Sequence, residues 1–300
     1  MTAAASKQAG VLERILVAYA RDFPVRRGKM RLVNAFWRLA AGANAQREAV
    51  IRYGGLRMPC DLAQALQRQY YFFGTYFLEE HILRAWTAAA RDAQVIFDVG
   101  ANAGIYSLAA LAAQPKAQVH AFEATPEIAA RLRRTAELNS LCGLTVHAQA
   151  VSDSDGFALL RRCGEADGGN EGMNYIAPDA EGGQGERVTT VRLDSACRAL
   201  GFDRIDLLKL DVQGAEGAAL IGAEALLAAR RVGTVFMELN WDWGPERSSP
   251  ATGAVALLEA AGYVFAAPGD PLDWRPAGDW LRALSDVIAR PREQLEAGAA

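Results

Sequence analysis

The stretch VIFDVGANAG, residues 95–104, constrains the fold more than any other part of the chain. Val95, Ile96, Phe97 and Val99 form a short apolar run suited to a strand buried on both faces. Asp98 and Gly100 end it, and IYSLAALAA follows with the composition of a helix. A strand, a glycine-rich turn and a helix N-terminus in succession make a natural seat for a nucleotide-like ligand. Glycine, lacking Cβ, lets the backbone come close to such a ligand.

The spacing separates two cofactor classes. A dinucleotide fingerprint reads GxGxxG, with a pyrophosphate over the helix N-terminus. Here the turn reads Asp98-Val99-Gly100-Ala101-Asn102-Ala103-Gly104. It resembles the acidic-x-Gly-x-Gly-x-Gly loop of S-adenosylmethionine (SAM) methyltransferases, with Asn102 at the middle glycine. SAM has no phosphates but carries an α-amino group, a carboxylate, a ribose and a sulfonium cation, so an acid beside the loop suits it. An ordinary tight strand-to-helix turn is the alternative.

Three hundred residues, 51% hydrophobic and 22% charged, can bury a substantial core in one large domain or a domain with an appendage. A formal net charge of −3 and the lack of a long basic stripe argue against a nucleic-acid partner. The local basic cluster from Arg21 to Arg31 reads as a solvated face, with an anionic substrate or membrane surface as the alternative. Cys60, Cys142, Cys163 and Cys197 form no CxxC pair, so neither a metal knuckle nor a disulfide framework is expected. The start MTAAASKQAG lacks a signal-peptide layout, and no apolar run reaches membrane-spanning length. The expected location is cytoplasmic, without integral membrane association.

Residues 11–41 read as two amphipathic helices around Pro24 and Gly28, forming a cap outside the core. AVIRYGGLRMPCDL is a hairpin signal centred on Gly54-Gly55, and a further helix runs to about Arg91. The aromatic group Tyr70, Tyr71, Phe72, Phe73, Tyr76 and Phe77 is expected to pack between cap and sheet, or else to line a pocket. Beyond the first loop come helix 105–113 and a second strand ending at Glu123, where an acid can accept hydrogen bonds from both ribose hydroxyls. Helix 126–139 precedes the third strand, LTVHAQAVSD, which sets Ala150, Val151 and Ser152 against adenine with Asp153 beside them. His120 and His147 read as core histidines. Residues 163–186 lose all periodicity, as a substrate-side loop or a tolerated insertion would. Asp194 reads as a helix N-cap after the strand RVTTVRL.

IDLLKLDVQG is the second informative stretch, an apolar strand whose C-terminal edge faces the same crevice as the first loop. It brings Lys209 and Asp211 there, with Glu216 one turn into the next helix, and the strand VGTVFMELN adds Glu238 and Asn240. Carboxylates meeting at such a crevice suit deprotonation of a hydroxyl before in-line attack on a sulfonium methyl. Trp241 and Trp243 fall near the crevice mouth, to contact a sugar or polyketide face or to pack on the cap. Helix 250–261, then YVFAA and SDVIAR, supplies a closing antiparallel pair of strands.

FDVGANAGIYSL, FEATPE, AVSD and LLKLDVQGAE, in this order, resemble the FkbM family of SAM-dependent methyltransferases, and the likeness runs from about Phe23 to Arg290. The resemblance implies an α/β fold, a seven-stranded Rossmann-like class I methyltransferase sheet in three layers with an N-terminal helical cap. The expected organisation is a helical and hairpin cap over 1–91, the methyltransferase domain over 92–290 and a flexible tail over 291–300. The implied activity is O-methylation of a hydroxyl on a small molecule or saccharide. The rivals are N- or carboxyl-methylation of a peptide product and a SAM-binding module without catalysis. Carried onto this chain, the SAM contacts are Asp98, Val99, Gly100, Ala101, Asn102, Gly104, Tyr106 and Ser107, then Glu123, Ala124, Ala150, Val151, Ser152, Asp211 and Val212. Asp211 leads the catalytic set, with Lys209, Glu216 and Glu238. Two departures stand out: Gln213 replaces the usual glutamate of Asp-x-Glu-Gly, and Phe77 replaces the usual acid after Gly-x-Tyr, with Glu79 and Glu80 nearby. A divalent cation on Asp211, Glu238 and Asn240 is possible by ligand type but not favoured, because Glu238 and Asn240 are two apart on a strand. The oligomeric state, monomer or homodimer, is not legible.

Overall fold

The structure, a computed structural model, describes residues 10–23, 27–40, 48–163, 173–177, 185–239 and 251–297. Asn240, Trp241, Trp243 and most of the acidic, glycine-rich stretch lie outside the described residues. The two amphipathic runs are helices α1 (Val11–Asp22) and α2 (Lys29–Ala40). Lys29, expected on a solvated face, is instead buried and donates from Nζ to the carbonyls of Ala20, at 2.8 Å, and Phe23. A cation satisfying the last carbonyls of α1 is favoured by the helix dipole. Strands β1 (Glu48–Tyr53) and β2 (Leu56–Asp61) form the expected hairpin, with Tyr53 opposite Leu56. Helices α3 (Ala65–Phe73) and α4 (Glu80–Ala90) lead into the main sheet.

That sheet is built from β3 (Val95–Val99), then α5 (Ile105–Ala113), β4 (Gln118–Phe122), α6 (Pro126–Leu138) and β5 (Leu144–His147). A detour follows through β6 (Ala150–Val151), β7 (Gly156–Arg161), β8 (Tyr175–Ala177) and β9 (Glu186–Val191), which form a second sheet of order β6-β9-β7-β8. The chain returns through α7 (Leu193–Ala199), β10 (Ile205–Leu210), α8 (Glu216–Ile221), α9 (Glu224–Ala228) and β11 (Val232–Glu238). It closes with α10 (Ala251–Ala260), β12 (Tyr263–Ala267), β13 (Asp270–Arg275), β14 (Asp286–Pro291) and α11 (Arg292–Ala297). The main sheet has the order β13-β12-β14-β11-β10-β3-β4-β5. Strands β11, β10, β3, β4 and β5 are mutually parallel, while β14 runs antiparallel to both β11 and β12. Seven of these strands are the expected ones, and β12 with β14 is the expected closing pair. An eighth, β13, is added at the edge.

Successive residues on the central strands bury into opposite faces, as a doubly covered sheet requires. Ile96, Leu207, Phe236 and Ile288 join one apolar cluster with Leu16, Phe72 and Trp86, so the elements before β3 share a core with the sheet. Phe97, Leu208, Val235 and Ala289 join the other, under α8 and α10. The aromatic group splits as well. Phe72 is fully buried and meets Trp37 edge-on at 6.1 Å, whereas Tyr70 and Tyr76 reach a cavity at the sheet edge.

Three local expectations need correction. The third strand is two: β5 stays in the main sheet as far as His147, whose carbonyl accepts from Glu123 N–H at 3.0 Å, and Ala150 then pairs with Thr190 of β9. Asp194 does not cap its own helix. It lies in the first turn of α7, and its carboxylate accepts from the backbone N–H groups of Ala225 and Leu226 at 3.0 Å, capping α9 across space. The tail expected to be loose continues as α11 to Ala297, because Pro291 is held in β14, Arg292 N–H bonds Gly262 and Glu293 pairs with Arg230. Among the described residues, no helix is long and apolar enough to cross a membrane.

Candidate active site

Sheet order reverses between β3 and β10, and in open α/β sheets that switch point opens a crevice beyond the carboxyl ends of the strands. A cavity of about 280 Å³ lies there. Its floor is the β3 loop and the turn after β10. Gly100, at φ +80°, is needed where these turns meet, because a Cβ would collide with the Asp211 carbonyl oxygen. Gly104, at φ +85°, meets only the movable tip of the Leu132 side chain, so its backbone conformation is the stronger reason for glycine there. Gly100 therefore serves close packing of protein on protein while also lining the cavity. Asn102 holds a positive φ of 48°, which asparagine tolerates better than most residues. This conformation explains asparagine at a glycine position.

Of the expected cofactor contacts, Val99, Gly100, Ala101, Asn102, Tyr106, Glu123, Ala124, Ala150, Val151, Asp211 and Val212 line the cavity. Asp98, Gly104, Ser107 and Ser152 are not among the lining residues. Asp98 is buried behind the loop, where it accepts the Ser107 hydroxyl at 2.5 Å. Burial raises its carboxyl above the usual range, opposed by Ser107 and Lys209. Ser152 turns away after β6, with its N–H on the Val191 carbonyl. Glu123 accepts from Asn102 N–H at 2.9 Å and Thr125 N–H at 2.8 Å, one on each oxygen. Burial raises its pKa, and those backbone donors oppose the rise. The Thr125 hydroxyl also bonds the carboxylate, so of its about four acceptor positions one remains for a ligand.

The expected catalytic residues separate into two groups. Asp211 and Glu238 line the cavity, whereas Lys209 and Glu216 lie behind it. Lys209 is 2% exposed, with Nζ 3.0 Å from Asp211 and 4.4 Å from the Tyr106 ring centroid. Burial disfavours its charge, but Asp211, Glu79 and Asp286 outweigh burial and keep it an ammonium. Glu216 clamps the turn after β10, accepting the N–H groups of Val212 and Gly214 at 3.2 Å. Burial lifts its carboxyl to about 7, against those backbone donors. Gln213, in the left-handed region at φ 55°, donates from Nε2 to Asp211 at 3.0 Å and to Glu238 at 2.8 Å, bridging the two carboxylates. Burial pushes Asp211 up, but Lys209 and these hydrogen bonds prevail and hold its carboxyl below the usual range. Among the described residues, no group of three or more acids, histidines or cysteines could hold a metal ion.

On the α3 side, Gln69 and Glu79 line the cavity without having been among the expected site residues, and Tyr70 and Tyr76 line it as the alternative reading of the aromatic group allowed. Glu79 accepts the Tyr106 hydroxyl at 2.8 Å and is hydrogen bonded to Tyr76. Burial pushes its carboxyl up to about 7; Lys209 and Tyr106 oppose this, while Asp211 and Asp286 reinforce it. For Glu79, the sequence signal was the replacement of the usual acid by Phe77 with an acid two residues later. The far wall belongs to the second sheet, through Leu160, Asn174, Tyr175 and Ile176.

The family model for the methyltransferase FkbM domain matches residues 98–265, which span both loops and the strands between them. The chain belongs to the FkbM methyltransferase family. Its FkbM domain is therefore that of a SAM-dependent methyltransferase with a Rossmann-like fold. The chain is 32% identical over 213 residues to the 31-O-demethyl-FK506 methyltransferase FkbM of Streptomyces tacrolimicus, covering 61% of this chain and 77% of that protein. It is 31% identical over 148 residues to the 2-O-methyltransferase NoeI of Sinorhizobium fredii, covering 46% of this chain and 60% of NoeI. It also matches the AMB antimetabolite synthetase AmbE of Pseudomonas aeruginosa at 30% over 195 residues, 54% of this chain but 9% of AmbE.

Proposed function

We propose that this cavity binds SAM along the β3, β4 and β6 side and methylates a hydroxyl oxygen of a small molecule or saccharide seated on the α3 side. The donor set suits SAM. Glu123 lines the cavity and keeps an acceptor position for a ribose hydroxyl, and Phe122, Ala124, Ala150 and Val151 offer an apolar slot for an adenine ring. When bound, SAM supplies a methyl on a sulfonium that leaves as a neutral thioether.

The observation that carries the reading is the contrast between two carboxylates on one cavity. Groups whose surroundings push their pKa values apart mark acid and base roles. Asp211, tied to Lys209 and Gln213, stays charged and is a poor proton acceptor. Its role is to orient the acceptor and to favour positive charge nearby. Glu79, raised towards neutrality, takes the proton from the acceptor hydroxyl as the new carbon–oxygen bond forms. Lys209 positions Asp211 and does not touch the reacting atoms. The names of FkbM and NoeI, both methyltransferases at oxygen, support the choice of acceptor atom.

Transfer from SAM carrying a carbon-13 methyl group tests the choice of atom. The expected product carries the label as a methyl ether, recognised by its carbon-13 shift. Label recovered only on nitrogen or as a methyl ester would overturn the reading.

A further inference from the structure

A second cavity, of about 220 Å³, opens between the β1–β2 hairpin and α6, with Gln67 of α3 and Ala103 of the β3 loop also in its wall. Asn102 and Ala103 are neighbours in that loop, and each lines a different cavity. The space far exceeds what a single water needs, and the methylation reading makes no use of it.

Its charges are sorted by element. Glu48 and Asp61 stand directly opposite each other across the hairpin, and both line the cavity. Like charges so placed repel, and a cation between them relieves the repulsion. Helix α6 supplies Arg131 and Arg134. Arg131 lies 3.5 Å from Asp61, longer than a charge-assisted hydrogen bond. Among the described residues, neither Glu48 nor Arg134 has a hydrogen bond or an ion pair.

Gln67 adds an independent observation. It is 2% exposed, and its Oε1 accepts from Asp61 N–H at 2.8 Å. Its Nε2 donates to no acceptor among the described residues. That nitrogen is not sealed off as Gln69 Oε1 is, so the cavity that Gln67 lines can reach it. A buried donor left unpaired is costly, and an oxygen brought by a ligand removes that cost.

We infer that this second cavity binds a small zwitterion of the free α-amino acid class. The ammonium sits between Glu48 and Asp61, and the carboxylate meets Arg134 and the Gln67 Nε2 donor. A molecule with only one of these charges meets like charge on one wall with nothing to offset it. Pro59, Leu132 and Leu138 leave an apolar stretch for the side chain. The site lies outside the methyl-transfer machinery and does not depend on that reading.

The test titrates the protein with the free L-α-amino acids, with and without saturating S-adenosylhomocysteine, by calorimetry and saturation-transfer NMR. At least one amino acid should bind with about millimolar affinity or better, with its N-acetyl and carboxamide counterparts weaker by about tenfold or more. Glu48→Gln and Arg134→Gln, at exposed groups, should each weaken it about threefold or more, and Gln67→Met about tenfold. The two exposed variants should keep the wild-type Tm, so that their loss of binding is not a loss of fold. Absence of binding by any amino acid up to about 10 mM would overturn the inference, as would equal binding of the single-charge counterparts. An affinity that both exposed variants leave unchanged, with the amino acid displaced by S-adenosylhomocysteine, would assign the ligand to the first cavity and equally overturn it.

Discussion

Replacing Glu79 by glutamine separates a proton acceptor from a charged spectator. The amide keeps an oxygen for the Tyr106 hydroxyl, so the hydrogen bond that fixes the side chain survives, but the group can no longer take a proton. With its carboxyl pushed up to about 7 by burial, Glu79 is about half deprotonated at pH 7 and roughly one-tenth deprotonated at pH 6. Wild-type turnover should therefore fall about tenfold per pH unit below 7 and level off above it. Glu79→Gln should lower kcat by about 10²–10⁴, equivalent to about 3–5 kcal/mol of barrier, and abolish that inflection. Methyl incorporation from radiolabelled SAM across pH 5.5–9 (on the order of seven points) measures both.

A second readout needs no substrate. Glu79 has a folded pKa above its unfolded value, so its contribution to stability is fully present below about 4.5 and is lost as pH rises through about 7. The difference in Tm between Glu79→Gln and wild type should therefore move in the variant's favour across that window. A variant within about threefold of wild-type kcat that keeps the inflection near 7 would refute the assignment of Glu79 as base.

Two further substitutions test the frame around the site. Gly100→Ala should cost about 1–3 kcal/mol from the left-handed backbone alone, and more from the collision with the Asp211 carbonyl. A Tm equal to wild type would show that the two turns do not meet as described. Asp194→Ala should cost about 1–3 kcal/mol by leaving the N–H groups of Ala225 and Leu226 unpaired, with affinity for S-adenosylhomocysteine unchanged, and denaturant unfolding reads both.

The parts of the fold legible in the sequence were those governed by local pattern. VIFDV and IDLLKL are apolar runs bounded by turn residues, and their places beside each other at the switch point follow from the rules of parallel sheets. Glu123 was legible because a strand end fixes where its side chain emerges. What escaped depends on distant partners. The split after His147 is invisible in LTVHAQAVSD, because only the arrival of β9 beside Ala150 creates it. Asp194 carries an ordinary N-cap signal, yet the donors that it satisfies lie 31 and 32 residues away. Strand β13 contains Pro271 and is largely exposed, as an edge strand can be, and so lacks the alternation that identifies inner strands.

The site shows the same division. Lys209 and Glu216 occupy strand-end and helix-start positions that the sequence places at the crevice, yet packing directs both behind it. Gln213 could be read as the loss of an acid, but not as a bridge between Asp211 and Glu238. Glu79 belongs to a segment before the sheet, and only tertiary packing sets it opposite Asp211.

The central claim is that the cavity beyond β3 and β10 is the SAM site. Calorimetric titration of the protein with S-adenosylhomocysteine, alongside Glu123→Ala, tests it most directly. The expected result is one site of about micromolar affinity, weakened about 10- to 100-fold in the variant by loss of the hydrogen-bond acceptor beneath the ribose. No binding to the wild type, or equal binding to Glu123→Ala, would contradict the account.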